Sequence, residues 1–223
     1  MLKAYNSSEK LAFSYRVIHF FFFYLMKIFY RLEVYGQEHV FKGAGIIAAN
    51  HVSFLDPPVL GVLWPQEVHF LARQSLFKVP LLGWFIKKIN SHPLKGNGGD
   101  VAVFKIVLQL LDEGKKVILF PEGQRSYDNK LCPIKPGLSL LISKTNAQVI
   151  PTYIFGTFEA WPRTKKYPKI GRKIGCVFGS PFGWSEFAHL EKKQAQEAFA
   201  KKITHSLESL KHWYESGAKG TPP

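Results

Sequence analysis

Short apolar runs alternate with helical patterns along most of the chain. The runs are rich in Ile, Val and Phe and are bounded by Gly, Pro or polar residues, which is typical of buried strands. Apolar residues recur at helical spacing between and after these runs. Strands separated by helices predict an α/β fold with a mostly parallel sheet flanked by helices. The predicted strands are 45–49, 68–71, 116–120, 148–151 and 173–178, and the predicted helices are 100–113, 137–146 and 184–214.

The segment from about residue 9 to residue 31 is a helical pattern that is apolar on almost every side. Its centre reads VIHFFFFYLM, and its basic residues lie near the ends. This run is shorter than the ~18 to 20 apolar residues that a membrane-spanning helix needs. Basic flanks and tyrosines suit a helix that lies in a membrane surface, although a core helix of a soluble domain has the same pattern. We predict a membrane-associating helical segment over residues 1–31 and one domain over residues 32–223.

Composition narrows the class of protein and of partner. Apolar residues make up 46% of the 223 residues and charged residues 21%, which excludes a disordered or fibrous chain. Lys and Arg number 30 against 16 Asp and Glu, a formal charge of +14. This excess predicts an anionic partner, which could be nucleic acid, a phosphorylated small molecule or an acidic lipid surface. Two cysteines make no disulfide framework and indicate a reducing compartment.

One candidate for catalysis directly follows the strand predicted over 45–49. The segment reads NHVSFLD and places His51 at the carboxyl end of that strand, where ligands gather in open α/β sheets. The pKa of histidine suits proton abstraction near neutral pH. The chain can fold back so that Asp56 accepts a hydrogen bond from the imidazole and holds its tautomer. Taken alone, a histidine and an aspartate at this spacing occur often by chance.

A second candidate, FPEGQRS, follows the strand predicted over 116–120 and so reaches the same sheet edge. Gly123 permits close backbone approach to a ligand, and the guanidinium of Arg125 can grip a phosphate with two parallel hydrogen bonds. Alternatively, Glu122 and Arg125 could simply pair with each other in a loop. The sequence has no Walker phosphate loop, no GxSxG elbow and no HExxH pair, and its histidines form no metal-like cluster. We therefore predict no metal site.

Together the two segments resemble the first and third motifs of the glycerolipid acyltransferase superfamily of the HX4D type, typified by bacterial 1-acylglycerol-3-phosphate acyltransferases. Residues 71–83, ending near 92–96, resemble the second block of that family, and residues 149–157 are similar to its fourth block. Order and spacing match across residues 35–179. The family often has a basic residue soon after the Pro-Val of its second block. This chain departs from that pattern and reads Leu94-Lys95-Gly96 there.

The resemblance implies transfer of a fatty acyl group from acyl-CoA or acyl carrier protein to the free hydroxyl of lysophosphatidic acid, which yields phosphatidic acid. His51 would remove the hydroxyl proton and Asp56 would orient the imidazole. No covalent acyl-enzyme and no cofactor beyond the thioester donor are expected, with Ser53 as the alternative nucleophile. Arg125, helped by Arg73 and Lys95, would hold the phosphate, and the Glu122 loop would shape the glycerol pocket. The residues assigned to substrate binding are Arg73, Lys95, Glu122, Gly123, Arg125 and Ser126.

The resemblance also gives the charge and the N-terminal segment a joint explanation. Lysophosphatidic acid and its product reside in membranes, so we expect a peripheral or monotopic enzyme at the cytoplasmic face of the inner (plasma) membrane. Other acceptors remain open within the same chemistry, such as glycerol 3-phosphate or another lysolipid. A non-catalytic protein that binds membranes or nucleic acid is the alternative from another class. A nucleic-acid binder should interleave aromatic and basic residues, whereas Phe20 to Phe23 are contiguous and uncharged.

Overall fold

The computed structural model describes residues 13–94, 99–145 and 147–223. Its strands are β1 (Arg31–Tyr35), β2 (Gly45–Ala49), β3 (Val68–Arg73), β4 (Ser91–Leu94), β5 (Lys116–Leu119), β6 (Gln148–Phe155) and β7 (Lys173–Phe178). These strands form one sheet in the order β1-β7-β6-β2-β5-β3-β4. Neighbouring strands run parallel except β6 and β7, which pair antiparallel. The predicted mostly parallel α/β fold is confirmed.

Helices cover both faces of this sheet. Because side chains alternate along a strand, β2 sends Ile47 and Ala49 to one face and Ile46 and Ala48 to the other. The helices are α1 (Phe13–Phe29), α2 (Asp56–Leu63), α3 (Leu82–Lys88), α4 (Gly99–Asp112), α5 (Pro136–Ile142), α6 (Thr157–Ala160) and α7 (Lys192–Glu215). The first face packs on α1 and α2, and the second on α4, α5 and α7.

The structure confirms the predicted strands and adds two at the sheet edges. The prediction missed β1 and β4 because edge strands carry polar residues and, in β4, a proline, which obscures the alternation used to recognise strands. The single helix predicted over 184–214 is wrong in its first part. Trp184–Phe187 is a short 3₁₀ helix, and its aromatic rings fold back against Phe199 of α7. The chain must turn to make this contact, so α7 begins only at Lys192.

The N-terminal helix α1 has two different sides. Tyr15 and Met26 are buried, and Phe22 packs against the core. On the other side, Phe20 and Ile28 keep 64% and 77% of their surface exposed. Within the described residues, no helix combines the length and apolar character needed to cross a bilayer. Residues 1–12 lie outside the described part of the chain. The division into a segment over 1–31 and a domain over 32–223 stays a prediction.

Candidate active site

His51 and Asp56 meet at the carboxyl end of β2. The chain leaves β2, turns over residues 52–55 and enters α2 with Asp56 as its first residue. The Nδ1 of His51 lies 2.7 Å from Oδ2 of Asp56. An imidazole that donates its Nδ1 proton to a carboxylate keeps its lone pair on Nε2 when it is neutral. The pair therefore has the geometry of a general base with its orienting carboxylate.

The carboxylate of Asp56 is fully buried, and hydrogen-bond donors surround it. Oδ2 also accepts the backbone N–H groups of Val52 and Ser53, each at 2.7 Å. Oδ1 accepts the hydroxyl of Thr157, at the start of α6, at 2.6 Å. These donors compensate the negative charge for its loss of water. Asp56 is thus held rigidly, and it fixes both the His51 loop and the imidazole.

The loop that follows β5 holds the backbone of His51 from both sides. Glu122 accepts the backbone N–H of His51 at 3.0 Å through Oε1 and that of Cys132 at 3.1 Å through Oε2. The N–H of Ser126 donates to the carbonyl of His51 at 2.8 Å. Burial raises the pKa of Glu122, and the two backbone donors oppose that shift. Glu122 therefore connects the two motifs as a positioning residue.

The aromatic ring of Phe120 sets the orientation of the imidazole. The two rings stack with centroids 3.9 Å apart and planes inclined by 16°. Phe120 directly follows β5, the parallel neighbour of β2. The side chain of His51 is 17% exposed, so part of the imidazole remains accessible.

Gly123 and Ser126, in the same loop, make their contacts with other residues of the chain. Gly123 has φ +69°, and a Cβ there would lie 2.7 Å from the side chain of Lys135, so only glycine fits without displacement. The hydroxyl of Ser126 is buried and donates to Oδ1 of Asp128 at 3.1 Å. Their predicted contact with substrate stays a prediction.

Arg125 lies over the His51 loop. Its guanidinium stacks on the ring of Phe54 at 3.7 Å from the centroid. Its Nη1 is buried and has no hydrogen-bond partner among the described residues. Burial lowers the pKa of Arg125, and the positive charges of Arg163 and Arg73 add to this effect. An unpartnered guanidinium nitrogen amid other cations has the charge and the free donor that an anion requires.

The structure adds Arg163 to the predicted cations. Its Nη1 donates to the carbonyl of Arg125 at 2.9 Å, and its guanidinium lies 3.8 Å from the centroid of the Tyr127 ring. Sequence reasoning missed Arg163 because it stands in no motif and lies far from Arg125 in the chain. The predicted residue Arg73 ends β3 and is exposed. Lys95 lies outside the described residues.

The hydroxyl of Ser53, the alternative nucleophile, is held in hydrogen bonds to the backbone. Its hydroxyl is buried, donates to the carbonyl of Trp161 at 2.6 Å and accepts the N–H of Leu55 at 3.0 Å. Cys176 is also fully buried, which raises the pKa of its thiol. Within the described part of the chain, His51 is thus a partly accessible group that a buried carboxylate orients.

Several known proteins are similar to this chain in sequence. The acyltransferase family model matches residues 31–155. The 1-acyl-sn-glycerol-3-phosphate acyltransferase of Bacillus subtilis is 27% identical over 183 residues, which cover 81% of this chain and 88% of that protein. The protein of the same name from Saccharomyces cerevisiae is 32% identical over 143 residues, which cover 61% of this chain and 47% of that one.

A solved structure shows the same fold. The crystal structure of the 1-acyl-sn-glycerophosphate (LPA) acyltransferase PlsC from Thermotoga maritima matches with a TM-score of 0.68 and 25% sequence identity. The match covers 86% of this chain and 78% of that chain. The region matched by the family model runs from the start of β1 to the end of β6 and contains His51, Asp56 and Arg125. Sequence, fold and the hydrogen-bonded His51–Asp56 pair agree that the chain belongs to the acyltransferase family.

Proposed function

We propose that this acyltransferase transfers a fatty acyl group from an acyl thioester to the free sn-2 hydroxyl of 1-acyl-glycerol 3-phosphate, which gives phosphatidic acid. One observation carries the proposal: the His51–Asp56 pair lies beside an arginine cluster (Arg73, Arg125 and Arg163) that contains an unpartnered, buried guanidinium nitrogen. The base removes the proton of the acceptor hydroxyl, and the arginine cluster binds the phosphate of the same acceptor. The names of the relatives point to the same acceptor.

The proposed reaction is direct transfer. Nε2 of His51 takes the proton of the acceptor hydroxyl while that oxygen attacks the thioester carbonyl. The imidazolium that forms is stabilised by the buried carboxylate of Asp56. When the tetrahedral intermediate collapses, the new C–O bond remains, the C–S bond breaks and the proton passes from His51 to the departing sulfur. No covalent acyl-enzyme is needed.

The donor and the place of the reaction belong to the same proposal. The donor is acyl-CoA or acyl carrier protein, and the acceptor enters from an anionic bilayer. The formal charge of +14 and the exposed apolar side of α1 support a peripheral enzyme at the cytoplasmic face of the inner membrane. Each Lys or Arg close to such a surface contributes ~1 kcal/mol to binding.

The test is a reconstituted assay with the purified chain. It measures thiol release and phosphatidic acid formation with lysophosphatidic acid and either acyl-CoA or acyl carrier protein. We expect thiol and phosphatidic acid in equal amounts, and thiol release that requires the acceptor. Equal thiol release without an acceptor would show a thioesterase, and a preference for glycerol 3-phosphate would assign the other acceptor.

Replacing Arg125 by alanine is expected to raise the KM for lysophosphatidic acid about tenfold or more, because charge-assisted hydrogen bonds to the phosphate are lost. The preference for lysophosphatidic acid over monoacylglycerol, which has no phosphate, should shrink by the same factor. Arg172→Ala, at an exposed position, is the matched control and should leave both values unchanged. An unaltered preference in Arg125→Ala would place the phosphate elsewhere.

Replacing Thr157 by valine is expected to lower kcat roughly tenfold, because a hydrogen bond to a charged group contributes on the order of 1.5 to 3 kcal/mol. Valine keeps the shape of threonine but leaves Oδ1 of Asp56 without its donor. The KM for lysophosphatidic acid should stay near the wild-type value, since the proposal gives Thr157 a positioning role toward the His51–Asp56 pair and no contact with substrate. Thr157→Ser restores the hydroxyl and should recover most of kcat; equal loss in both variants would indicate a packing effect instead.

A further inference from the structure

The segment from Gln74 to Lys88, which contains neither His51 nor Asp56, carries an exposed apolar surface. It consists of the 3₁₀ helix Gln74–Lys78, a tight turn and α3. At its tip, Leu81 is 84% exposed and Trp84 is 63% exposed. Large apolar side chains clustered in this way on a surface mark an interaction site. The exposed apolar residues of this segment are Leu76, Val79, Leu81, Leu82 and Trp84.

The backbone holds this tip in a strained conformation. Leu81 has φ 60° and ψ −53°, and the N–H of Leu82 donates to the carbonyl of Pro80 at 2.6 Å. These values describe the rare and strained form of the γ-turn. Gly83 secures the turn, because a Cβ there would lie 2.3 Å from the carbonyl oxygen of Phe77. A strained leucine that buries almost none of its side chain gains little from intramolecular packing, which points to a role outside the chain.

The segment contacts the N-terminal helix through α3. Phe22 of α1 stacks on Phe85 of α3 with ring centroids 4.5 Å apart. Phe21 and Trp84, the sequence neighbours of these two rings, are both exposed. Both elements therefore present exposed apolar side chains next to a shared contact.

Basic residues border the apolar tip. Lys78 precedes it, Lys87 and Lys88 follow it, and all three are exposed. A large apolar centre with cations around its base matches a bilayer interface, where apolar side chains enter the acyl region and lysines reach the phosphates. An acidic protein partner would instead be met by cations at the centre of the surface. Arg73 directly precedes the segment, so contact at 74–88 would bring Arg73 to the level of the lipid phosphates.

We propose that residues 74–88 form a second membrane-docking element, which inserts Leu81 and Trp84 into an anionic bilayer beside α1. Two points of contact, unlike a single helix, fix the rotation of the domain on the membrane. They would hold the arginine cluster toward the headgroups. The proposal goes beyond the reaction itself and is tested without any acyl donor, so its failure would leave the proposed acyl transfer standing.

The first test compares vesicle binding of the full chain and of the double variant Leu81→Ser/Trp84→Ser. Vesicles of phosphatidylcholine and phosphatidylglycerol serve as the probe in a sedimentation assay. We expect the variant to bind at least about tenfold more weakly, which corresponds to about 1.4 kcal/mol. Leu140→Ser, an exposed leucine on α5 under the opposite face of the sheet, is the matched control and should bind as the wild type does. Wild-type binding by the double variant would overturn the proposal.

The second test locates Trp84 directly. Vesicles of the same lipids with brominated acyl chains should quench part of the wild-type tryptophan fluorescence, and Trp84→Phe should lose most of that quenching while it still binds. Trp213→Phe, on α7, should retain it. Equal quenching in wild type and Trp84→Phe would show that the tip stays out of the acyl region, and an acidic carrier protein as occupant would give the same result.

Discussion

Replacing His51 by alanine is expected to lower the rate of acyl transfer by about 10² to 10⁴-fold, the usual contribution of a general base. Alanine removes the nitrogen that would take the hydroxyl proton. It also leaves the carboxylate of Asp56 without its imidazole partner. The loss should fall on kcat, because the arginine cluster proposed to hold the phosphate remains. The measurement is kcat and KM for lysophosphatidic acid by thiol release.

The control for this experiment is His205→Ala, which alters an exposed histidine on α7 and should leave the kinetics unchanged. Circular dichroism of both variants shows whether the fold is intact. Wild-type turnover by a folded His51→Ala protein would refute the proposed base and, with it, the mechanism of direct transfer.

Replacing Asp56 by asparagine is expected to lower kcat by about 10³-fold or more, in line with the loss on changing a triad aspartate to asparagine. The reason is the donor set around this side chain. One oxygen accepts the imidazole and two backbone N–H groups, and the other accepts Thr157. An amide offers a single acceptor oxygen, so it cannot satisfy these donors and hold the same imidazole tautomer.

A structural loss must be distinguished from a catalytic one at this position. Thermal unfolding of Asp56→Asn should show some destabilisation, since buried donors are left without partners. At temperatures where the variant remains folded, kcat should still be low while KM changes little. Asp112→Asn, at the exposed end of α4, should match the wild type in both measurements. A folded Asp56→Asn protein with a normal kcat would show that the carboxylate does not orient His51.

Parallel strands bring these groups together. The loops with His51, with Glu122 and Arg125, and with Thr157 follow β2, β5 and β6, which are adjacent and parallel in the sheet. Their carboxyl ends therefore open at one edge, where ligands bind in α/β folds. Backbone hydrogen bonds from His51 to Glu122 and from Ser126 to His51 then join two of the loops.

Features that depend on neighbouring residues follow from the sequence alone. Buried strands such as β2 and β5 are continuous apolar runs, and the contact between His51 and Asp56 spans one short turn. The edge strands β1 and β4 escaped prediction because their composition reflects exposure to solvent as well as strand geometry. The break before α7 escaped it too, because long-range aromatic packing on Phe199 overrides local helical spacing.

The distant groups that complete the site come together only when the chain folds. Thr157 donates to a carboxylate 101 residues earlier in the chain, and Arg163 contacts the backbone of Arg125 across 38 residues. The tertiary structure also gives Glu122 two backbone hydrogen-bond partners and brings Phe85 of α3 against Phe22 of α1. Local periodicity carries no information about such contacts, because they depend on which strands become neighbours and on how each loop folds over the sheet edge.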